Sequence, residues 1–491
     1  RMNAQALARG TEDMSWLHDS TTEMLTRVQE ARDQKAFPFF RPMKNIGARV
    51  EVNGVSYVNF TSNDYLGLST DQRLIDAAVG GVQKYGTGLG SARPQATSVR
   101  HTELENRLAS WLGYGGCANF TTGYQALVGV LSAYLNDDTT VIIDRLSHAS
   151  IIDGILLSRG QHPDLEMRFF KHNNMKSLEK CLTTAEHDKK LVLVEGLYSV
   201  DGDYGKLDEI VALCKKHGAV IAVDDAHGIG TLGPTGRGVC EHYGVLNEID
   251  FLIGTFSKSF GGIGGFVLAD KVLIDYLKLS ARSFLFSASL PLSLVESALK
   301  ALDIIQAEPQ LRQRLEDNKI FFREGLLRLG YDLGESETHI TPIMIRDELL
   351  TLKMGAYLFH GGNVMMMPFV SPGVPKNTER LRCNVTAAHT KAQMGYALEA
   401  IGEVGKMLEV LPSTAQTGFP KWQKALWLAR HGIDGTRNAG VGHLAKQWEL
   451  HGGPVRELAT DFWHAVSPPP SRDRGVQKTP DRSSSGAQVH A

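Results

Sequence analysis

The sequence predicts an α/β fold in which a large domain carries a mainly parallel central sheet and a smaller C-terminal domain has α+β character. Residues 71–301 alternate helical segments with short apolar runs, the pattern of strands buried between helices. Four such runs lie at residues 141–144, 191–195, 219–224 and 251–254. A long helix at residues 308–329 and two strands, near residues 340–345 and 381–385, predict the smaller domain.

The chain has 491 residues, which is too long for one simple core. Residues 15–37 predict an amphipathic helix, and residues 49–60 predict a hairpin that turns at Asn53-Gly54. The pattern changes after Pro412, and the final residues are rich in Pro, Ser, Arg and Gly, which is typical of disorder. The predicted units are residues 1–60 (N-terminal helix and hairpin), 61–301 (large domain), 302–411 (small domain), 412–466 (helical extension) and 467–491 (disordered tail).

The composition is that of an ordinary globular protein, with 42% hydrophobic and 22% charged residues. The formal net charge of −2 gives no basic excess for binding nucleic acid. The five cysteines are scattered without a CxxC pair, so we expect reduced thiols and no zinc site. No apolar run approaches the roughly 20 residues that span a bilayer. We therefore expect a cytoplasmic protein without a transmembrane segment.

One lysine lies in a turn of small and hydroxyl residues, directly after a predicted buried strand. Residues 255–265 read Thr-Phe-Ser-Lys-Ser-Phe-Gly-Gly-Ile-Gly-Gly, with Lys258 at the fourth position. Partial desolvation lowers the pKa of such a lysine and frees its amine for Schiff-base chemistry. Thr255, Ser257 and the glycines would let backbone approach a phosphate. The alternative is an exposed loop with a solvated lysine, and this segment alone does not decide between the two.

A second polar segment ends the strand predicted at residues 219–224. Asp224 can pair with a protonated pyridine nitrogen, and His227 can hydrogen-bond an oxygen on the same ring. Alternatively, the aspartate caps the following helix and the histidine is unrelated to it. A metal site is a third interpretation, but no third ligand lies at the usual spacing, and we predict none.

Three further segments carry polar groups at the ends of predicted elements. Ser199 follows the strand at residues 191–195 and could support a ring oxygen, or it could belong to an acidic turn. His148 could stack on a cofactor ring, although a single histidine is more often structural. Gly123 and Tyr124 begin a predicted helix, where free N–H groups can bind phosphate, although a glycine turn is weak evidence.

In this order and spacing, the five segments resemble the α-oxoamine synthase family of fold-type-I pyridoxal-phosphate (PLP) enzymes. The family includes 8-amino-7-oxononanoate synthase, 2-amino-3-ketobutyrate CoA ligase, 5-aminolevulinate synthase and serine palmitoyltransferase. The resemblance covers residues 42–411 approximately. Further matching segments are residues 62–68 (SNDYLGL), 86–88 (GTG), 286–291 (FSASLP), 380–382 (RLR) and 386–390 (TAAHT).

The resemblance implies a role for each candidate residue. Lys258 would hold pyridoxal 5′-phosphate and later move the α-proton, Asp224 would pair with the pyridinium, and His148 would stack on the ring. His227 and Ser199 would contact the ring 3′-oxygen. The phosphate would be held by Gly123, Tyr124, Thr255 and Ser257.

The resemblance also implies substrate contacts and a homodimer with shared active sites. Arg382 would clamp the amino-acid carboxylate, as a bidentate guanidinium can, and Asn63 would line the substrate site. Residues 286–291 would reach the neighbouring subunit's phosphate. The family often has a second hydroxyl at the position of Ala288, so Ser287 is the expected contact here.

The implied reaction is a decarboxylative condensation of a small amino acid with an acyl thioester, which gives an α-amino ketone, CO₂ and free thiol. Residues 90–100 depart from the usual glycine-rich loop near the acyl entry, and the chain continues beyond the common core. Both features favour a lipid-like or polyketide-like acyl chain, carried on CoA or an acyl-carrier protein. Two alternatives are another fold-type-I enzyme, such as an aminotransferase, and a regulatory partner subunit; such subunits typically lack the lysine.

Overall fold

The computed structural model describes residues 38–411 apart from residue 372, together with positions 21, 22, 25, 26 and 29. Those five isolated positions are helical and fall within the helix predicted at residues 15–37. The rest of that helix, the predicted helical extension and the predicted tail lie outside the described residues.

The N-terminal hairpin forms as predicted. Strand β1 (Arg49–Val52) pairs antiparallel with β2 (Val55–Asn59). The two turn residues, Asn53 and Gly54, both have positive φ (51° and 78°), as a two-residue hairpin turn of this kind requires.

A seven-stranded sheet forms the centre of the large domain. Its strands are β3 (Gly116–Phe120), β4 (Thr139–Asp144), β5 (Glu166–Phe170), β6 (Lys189–Glu195), β7 (Val220–Asp224), β8 (Phe251–Thr255) and β9 (Gly265–Ala269). The spatial order is β3-β9-β8-β7-β6-β4-β5. Pairs among β4 to β8 are parallel, and β9 runs antiparallel to both of its neighbours. The mainly parallel sheet and all four predicted runs are confirmed.

Helices cover both faces of this sheet. They are α1 (Gln72–Tyr85), α2 (Val99–Leu112), α3 (Gly123–Tyr134), α4 (Ala149–Arg159), α5 (Met175–Thr183), α6 (Leu207–Lys216), α7 (Val239–His242), α8 (Lys271–Ser280), α9 (Arg282–Leu285) and α10 (Leu292–Ala307). Because successive strand residues point to opposite faces, Ile142 packs in one hydrophobic cluster while Val141 and Ile143 pack in another. The strands are therefore apolar throughout instead of alternating with polar residues.

The C-terminal part forms around a separate hydrophobic cluster. Its elements are α11 (Pro309–Leu329), β10 (Ile340–Met344), α12 (Glu348–His360), β11 (Val364–Met365), β12 (Met367–Phe369), β13 (Arg380–Asn384) and α13 (Lys391–Met407). Strands β10, β13 and β12 form an antiparallel sheet in that order, while β11 adds to the hairpin beside β2. The long helix and both predicted strands are confirmed. The boundary at residues 301/302 stays a prediction.

Among the described helices, none combines the length and the apolar character needed to cross a bilayer.

Candidate active site

A cavity of about 280 Å³ opens where the parallel strands end. Eight of the predicted site residues line it: Gly123, Tyr124, His148, Asp224, His227, Thr255, Ser257 and Lys258. The parallel sheet explains why these residues lie close together. The carboxyl ends of β4, β6, β7 and β8 lie along one edge of the sheet, and the polar residues at and after these ends converge there.

Lys258 lies in the connection between β8 and β9. Hydrogen bonds close this connection into a compact turn: Phe256 N to Gly264 O at 2.9 Å and Gly261 N to Lys258 O at 2.9 Å. Burial lowers the pKa of Lys258 to about 8, against the opposing charge of Asp224. A larger fraction of this amine than of an ordinary lysine is therefore uncharged near neutral pH, and the uncharged form is the nucleophile.

The amino end of α3 faces the cavity next to this turn. Thr122 caps the helix by accepting a hydrogen bond of 3.1 Å from Gln125 N. The N–H groups of Gly123 and Tyr124 have no acceptor within the helix, because they belong to its first turn. A Cβ atom on Gly265 would lie 2.5 Å from the Gly123 Cα, so glycine is needed where β9 meets the helix. This end of the cavity is suited to an anion such as phosphate.

Hydroxyl groups surround the same end. Thr255 Oγ1 lies 2.7 Å from Ser257 Oγ and donates to Gly264 O at 2.7 Å. Ser287 is not among the residues that line the described cavity, but its hydroxyl accepts a hydrogen bond of 3.0 Å from Gln125 Nε2. In the single chain, Ser287 therefore lies beside the first turn of α3.

The two adjacent aspartates differ in their surroundings. Asp224 lines the cavity and accepts a hydrogen bond of 3.1 Å from Ala226 N. Asp225 is fully buried, accepts a hydrogen bond of 2.7 Å from Val239 N, and has its pKa raised well above the ordinary value by burial. A Cβ atom on Gly228 would lie 2.1 Å from Asp225 Oδ1, so the buried carboxyl occupies the space that a side chain at Gly228 would need. Of this pair, only Asp224 presents a carboxylate to the cavity.

His148 begins α4 at the edge of the cavity. Its Nδ1 lies 2.6 Å from Ser150 Oγ, which fixes the orientation of the ring. Its backbone N–H donates to Glu195 Oε1 at 2.7 Å. Burial lowers the pKa of His148, against the opposing charge of Asp224, so the ring is a neutral flat surface near neutral pH.

Arg382 projects from β13 and connects the small sheet to the large domain. Its guanidinium donates to Ser199 O at 3.0 Å and to Asn63 Oδ1 at 3.0 Å. Ser199 therefore contacts Arg382 through its backbone, and its side chain is not among the groups that line the described cavity. The arginine and Asn63 are held together beside the residues of the cavity.

The segment of residues 196–204 is attached to both parts of the molecule. On the large-domain side, His172 bridges two carboxylates, with Nδ1 at 3.0 Å from Asp144 Oδ1 and Nε2 at 2.8 Å from Asp203 Oδ2. On the other side, Arg380 forms an ion pair with Asp201, and Thr338 Oγ1 donates to Gly202 O at 2.8 Å. The segment thus contacts both the large domain and the strands of the small sheet.

Two residues in or behind the cavity wall received no role from the sequence. Glu195 ends a predicted strand, and its position at the sheet edge was the available signal. Tyr65 lies inside the matching segment at residues 62–68, but its contact with His227, at 2.6 Å between Tyr65 Oη and Nδ1, joins residues 162 positions apart. Periodicity and spacing cannot reveal such a contact.

Comparisons with known proteins agree with this geometry. A family model described as aminotransferase class I and II matches residues 55–401. The 8-amino-7-oxononanoate synthase of Petrotoga mobilis is 39% identical over 369 residues, which are 74% of this chain and 92% of that protein. The serine palmitoyltransferase of Bacteriovorax stolpii is 37% identical over 395 residues, 80% of this chain and 93% of that protein.

The chain belongs to the α-oxoamine synthase family of fold-type-I PLP enzymes.

Solved structures of this family have the same architecture. A high-resolution structure of a serine palmitoyltransferase with its PLP internal aldimine superposes with a TM-score of 0.76 and 33% identity, covering 80% of this chain and all of that one. Family membership confirms the predicted fold class, the PLP cofactor and the enzyme class, a PLP-dependent C-acyltransferase. The cavity fits this cofactor, because it places an amine of lowered pKa, a carboxylate and a helix N-terminus around one space.

Proposed function

We propose that this chain condenses a small amino acid with an acyl thioester and releases CO₂ and the free thiol. The observation that carries the proposal is the grouping of Lys258 and Asp224 in one cavity, with Arg382 held beside it. When bound, PLP supplies an electron sink for the negative charge that develops at the amino acid's α-carbon. Transferases of this family need the lysine for cofactor binding, and the chain retains it.

The protein groups would act as follows. Lys258 would bind the cofactor through Nζ and move the α-proton, since its pKa of about 8 lets it accept and return a proton near neutral pH. Asp224 would hold a proton on the ring nitrogen by opposite charge. His148 would cover one ring face, while Ser199 and His227 would support the ring oxygen.

The remaining groups would bind phosphate and substrate. Gly123, Tyr124, Thr255 and Ser257 would hold the phosphate through N–H and hydroxyl donors, with Ser287 offered to the neighbouring site. Arg382 would bind the amino-acid carboxylate beside Asn63, since each guanidinium has five donors and only two are used in the contacts described above.

A homodimer is part of the proposal. Phe286, at the start of the segment that would reach the neighbour, is 75% exposed in the single chain. Leu279, one helix earlier, is 78% exposed. This exposure leaves the segment accessible to a partner subunit. We also propose a cytoplasmic location, supported by five free cysteines, four of them buried.

Two experiments test the proposed function. Borohydride reduction of the purified protein followed by peptide mapping should find a pyridoxyl label on Lys258. Incubation with glycine, alanine or serine and acyl-CoA or acyl-carrier-protein thioesters should release free thiol and CO₂, and mass spectrometry should identify an α-amino ketone. A label on another lysine would contradict the assignment of Lys258. Formation of a keto acid without thiol release would identify an aminotransferase instead.

A further inference from the structure

A short hydrogen bond joins two buried side chains behind the cavity. Tyr65 Oη lies 2.6 Å from His227 Nδ1, and the two residues are 0% and 6% exposed, respectively. His227 also lines the cavity. Within the part of the chain that the structure describes, no protein group accepts from or donates to His227 Nε2, so this nitrogen is available to a ligand.

The proton between these atoms can be located from the neighbouring contacts. The other group within reach of the Tyr65 hydroxyl is Asn63 Oδ1, at 3.3 Å. This oxygen already accepts from Arg382 Nη2 at 3.0 Å and from Asn384 Nδ2 at 2.8 Å. A carboxamide oxygen has two lone pairs, and two shorter hydrogen bonds already use them.

The contacts of Asn63 identify which of its two side-chain amide atoms is the oxygen. A guanidinium can only donate, so the Asn63 atom facing Arg382 must be the oxygen. Asn384 is fixed in the same way, since its Nδ2 also donates to the Ser62 carbonyl at 3.1 Å. The Tyr65 hydroxyl therefore has one good acceptor among the described residues, which is His227 Nδ1.

We propose that Tyr65 is a positioning residue that holds His227 as the neutral tautomer with its proton on Nε2. The hydroxyl donates to Nδ1, so the single ring proton of a neutral histidine must be on the other nitrogen. Burial, with Lys258 and Arg382 nearby, lowers the pKa of His227 well below its ordinary value. Burial also raises the pKa of Tyr65, so its hydroxyl keeps the proton.

The tautomer decides what His227 can do for a ligand. With the proton on Nε2, the ring offers a donor to an oxygen anion in the cavity. The other tautomer would present a lone pair and repel the same oxygen. In the proposed function, on which this step rests, that oxygen is the 3′-oxygen of the cofactor ring. Tyr65 would therefore tune cofactor binding without touching the cofactor.

The test is the ¹⁵N NMR spectrum of full-length protein labelled at histidine, recorded with and without PLP. The signals of His227 are those that disappear in the variant His227→Gln. In the wild type, Nε2 should show the shift of a protonated nitrogen and Nδ1 that of an acceptor. Tyr65→Phe removes the donor, so the two nitrogens should move toward averaged values. The dissociation constant for PLP should rise by about tenfold.

Tyr198→Phe is the matched control. Tyr198 is also buried, but its hydroxyl has no hydrogen-bond partner among the described residues. This variant should leave the His227 spectrum unchanged. A proton on Nδ1 in the wild type, or an unchanged His227 spectrum in Tyr65→Phe, would overturn the proposal. If Tyr65→Phe does not fold, the wild-type spectrum still shows which nitrogen carries the proton. The spectrum of the cofactor-free protein tests the tautomer even if Lys258 does not bind PLP.

Discussion

The backbone N–H of His148 donates a hydrogen bond of 2.7 Å to Oε1 of Glu195. Glu195 is 3% exposed and lies opposite Asp224 on the adjacent strand. Burial and the charge of Asp224 raise the pKa of Glu195 well above its ordinary value. The site therefore contains two neighbouring carboxyl groups, and the raised pKa favours the protonated form of Glu195, which holds the segment that bears His148.

Glu195→Gln should preserve the site, because an amide keeps the acceptor oxygen and matches the neutral acid. Glu195→Ala should lower the free energy of unfolding by about 1–3 kcal/mol, since the His148 N–H is left without a partner. A raised folded-state pKa contributes stability that is complete below the unfolded pKa and is lost as pH rises through the folded pKa. Urea unfolding should therefore show the wild type losing stability relative to Glu195→Gln as pH rises. The opposite trend would mean that Glu195 is ionised.

Asp224→Asn should lower the pKa of Lys258 further, because the charge of Asp224 is the largest of the influences that raise this pKa. We expect a decrease of roughly one unit or more, measured from the pH dependence of amine labelling in the cofactor-free protein. Turnover should fall on the order of 100-fold with PLP still bound. Asp225→Asn is the control and should change the melting temperature while moving the Lys258 titration less than Asp224→Asn does, because Asp225 has the smaller influence on that pKa. If Asp225→Asn moved that titration and Asp224→Asn did not, the two roles would be reversed.

Arg382→Lys should weaken binding of the amino acid while leaving PLP affinity unchanged. A lysine cannot donate to Ser199 O, Asn63 and a carboxylate in the same fixed geometry. Steady-state kinetics should show the KM for the amino acid rising on the order of 10- to 100-fold. Arg380→Lys, on the same face of β13, should affect stability but not this KM. Equal KM values for Arg382→Lys and the wild type would remove Arg382 from the substrate site.

His172→Gln should destabilise the protein most at mildly acidic pH. Burial opposes the charge of His172, but hydrogen bonds to Asp144 and Asp203 outweigh it and raise its pKa to about 10. The stabilisation is complete below the unfolded pKa, declines above it, and is lost as pH rises through about 10. The loss in unfolding free energy should be on the order of 3 kcal/mol near pH 6. It should shrink steadily toward pH 10; a loss independent of pH would show that the charge is not involved.

Phe286→Asp should convert the dimer to monomers, because a charge would be placed where an apolar side chain is proposed to meet the neighbour. Sedimentation velocity at micromolar concentration measures the change. Leu327→Asp is the control, since Leu327 is 55% exposed on α11, in the smaller domain. A monomeric wild type with full activity would contradict the proposed dimer.

The elements that could be predicted from sequence are those determined by residues close together in the chain. The hairpin turn follows from Asn53-Gly54, and four strands follow from uninterrupted apolar runs. Strands β3, β5 and β9 were not among the predicted runs. Strand β3 contains the polar Asn119, and β9 follows a glycine-rich turn. Strand β5 is at the sheet edge and is mostly only partly buried, so its sequence EMRFF shows no apolar run.

The site was predictable to the extent that its residues follow strands. Asp224 ends a predicted strand, and Lys258 and His148 each lie shortly after one, so a parallel sheet brings them together. The contacts of Tyr65 and Arg382 come from segments far away in sequence, and only the folded chain shows them. Asp224 and Asp225 are also indistinguishable by composition; the direction in which each side chain points separates their roles.

The arginine on β13 and the lysine after β8 are supported by different hydrophobic clusters, joined through residues 196–204. Changes in the packing around β13 can shift Arg382 while leaving the turn that bears Lys258 in place. In the proposed function, such changes would act first on affinity for the amino acid, and on Lys258 only through the charge of Arg382. Under the same proposal, substitutions in the packing around β13 would alter the preferred amino acid while Lys258 keeps its place.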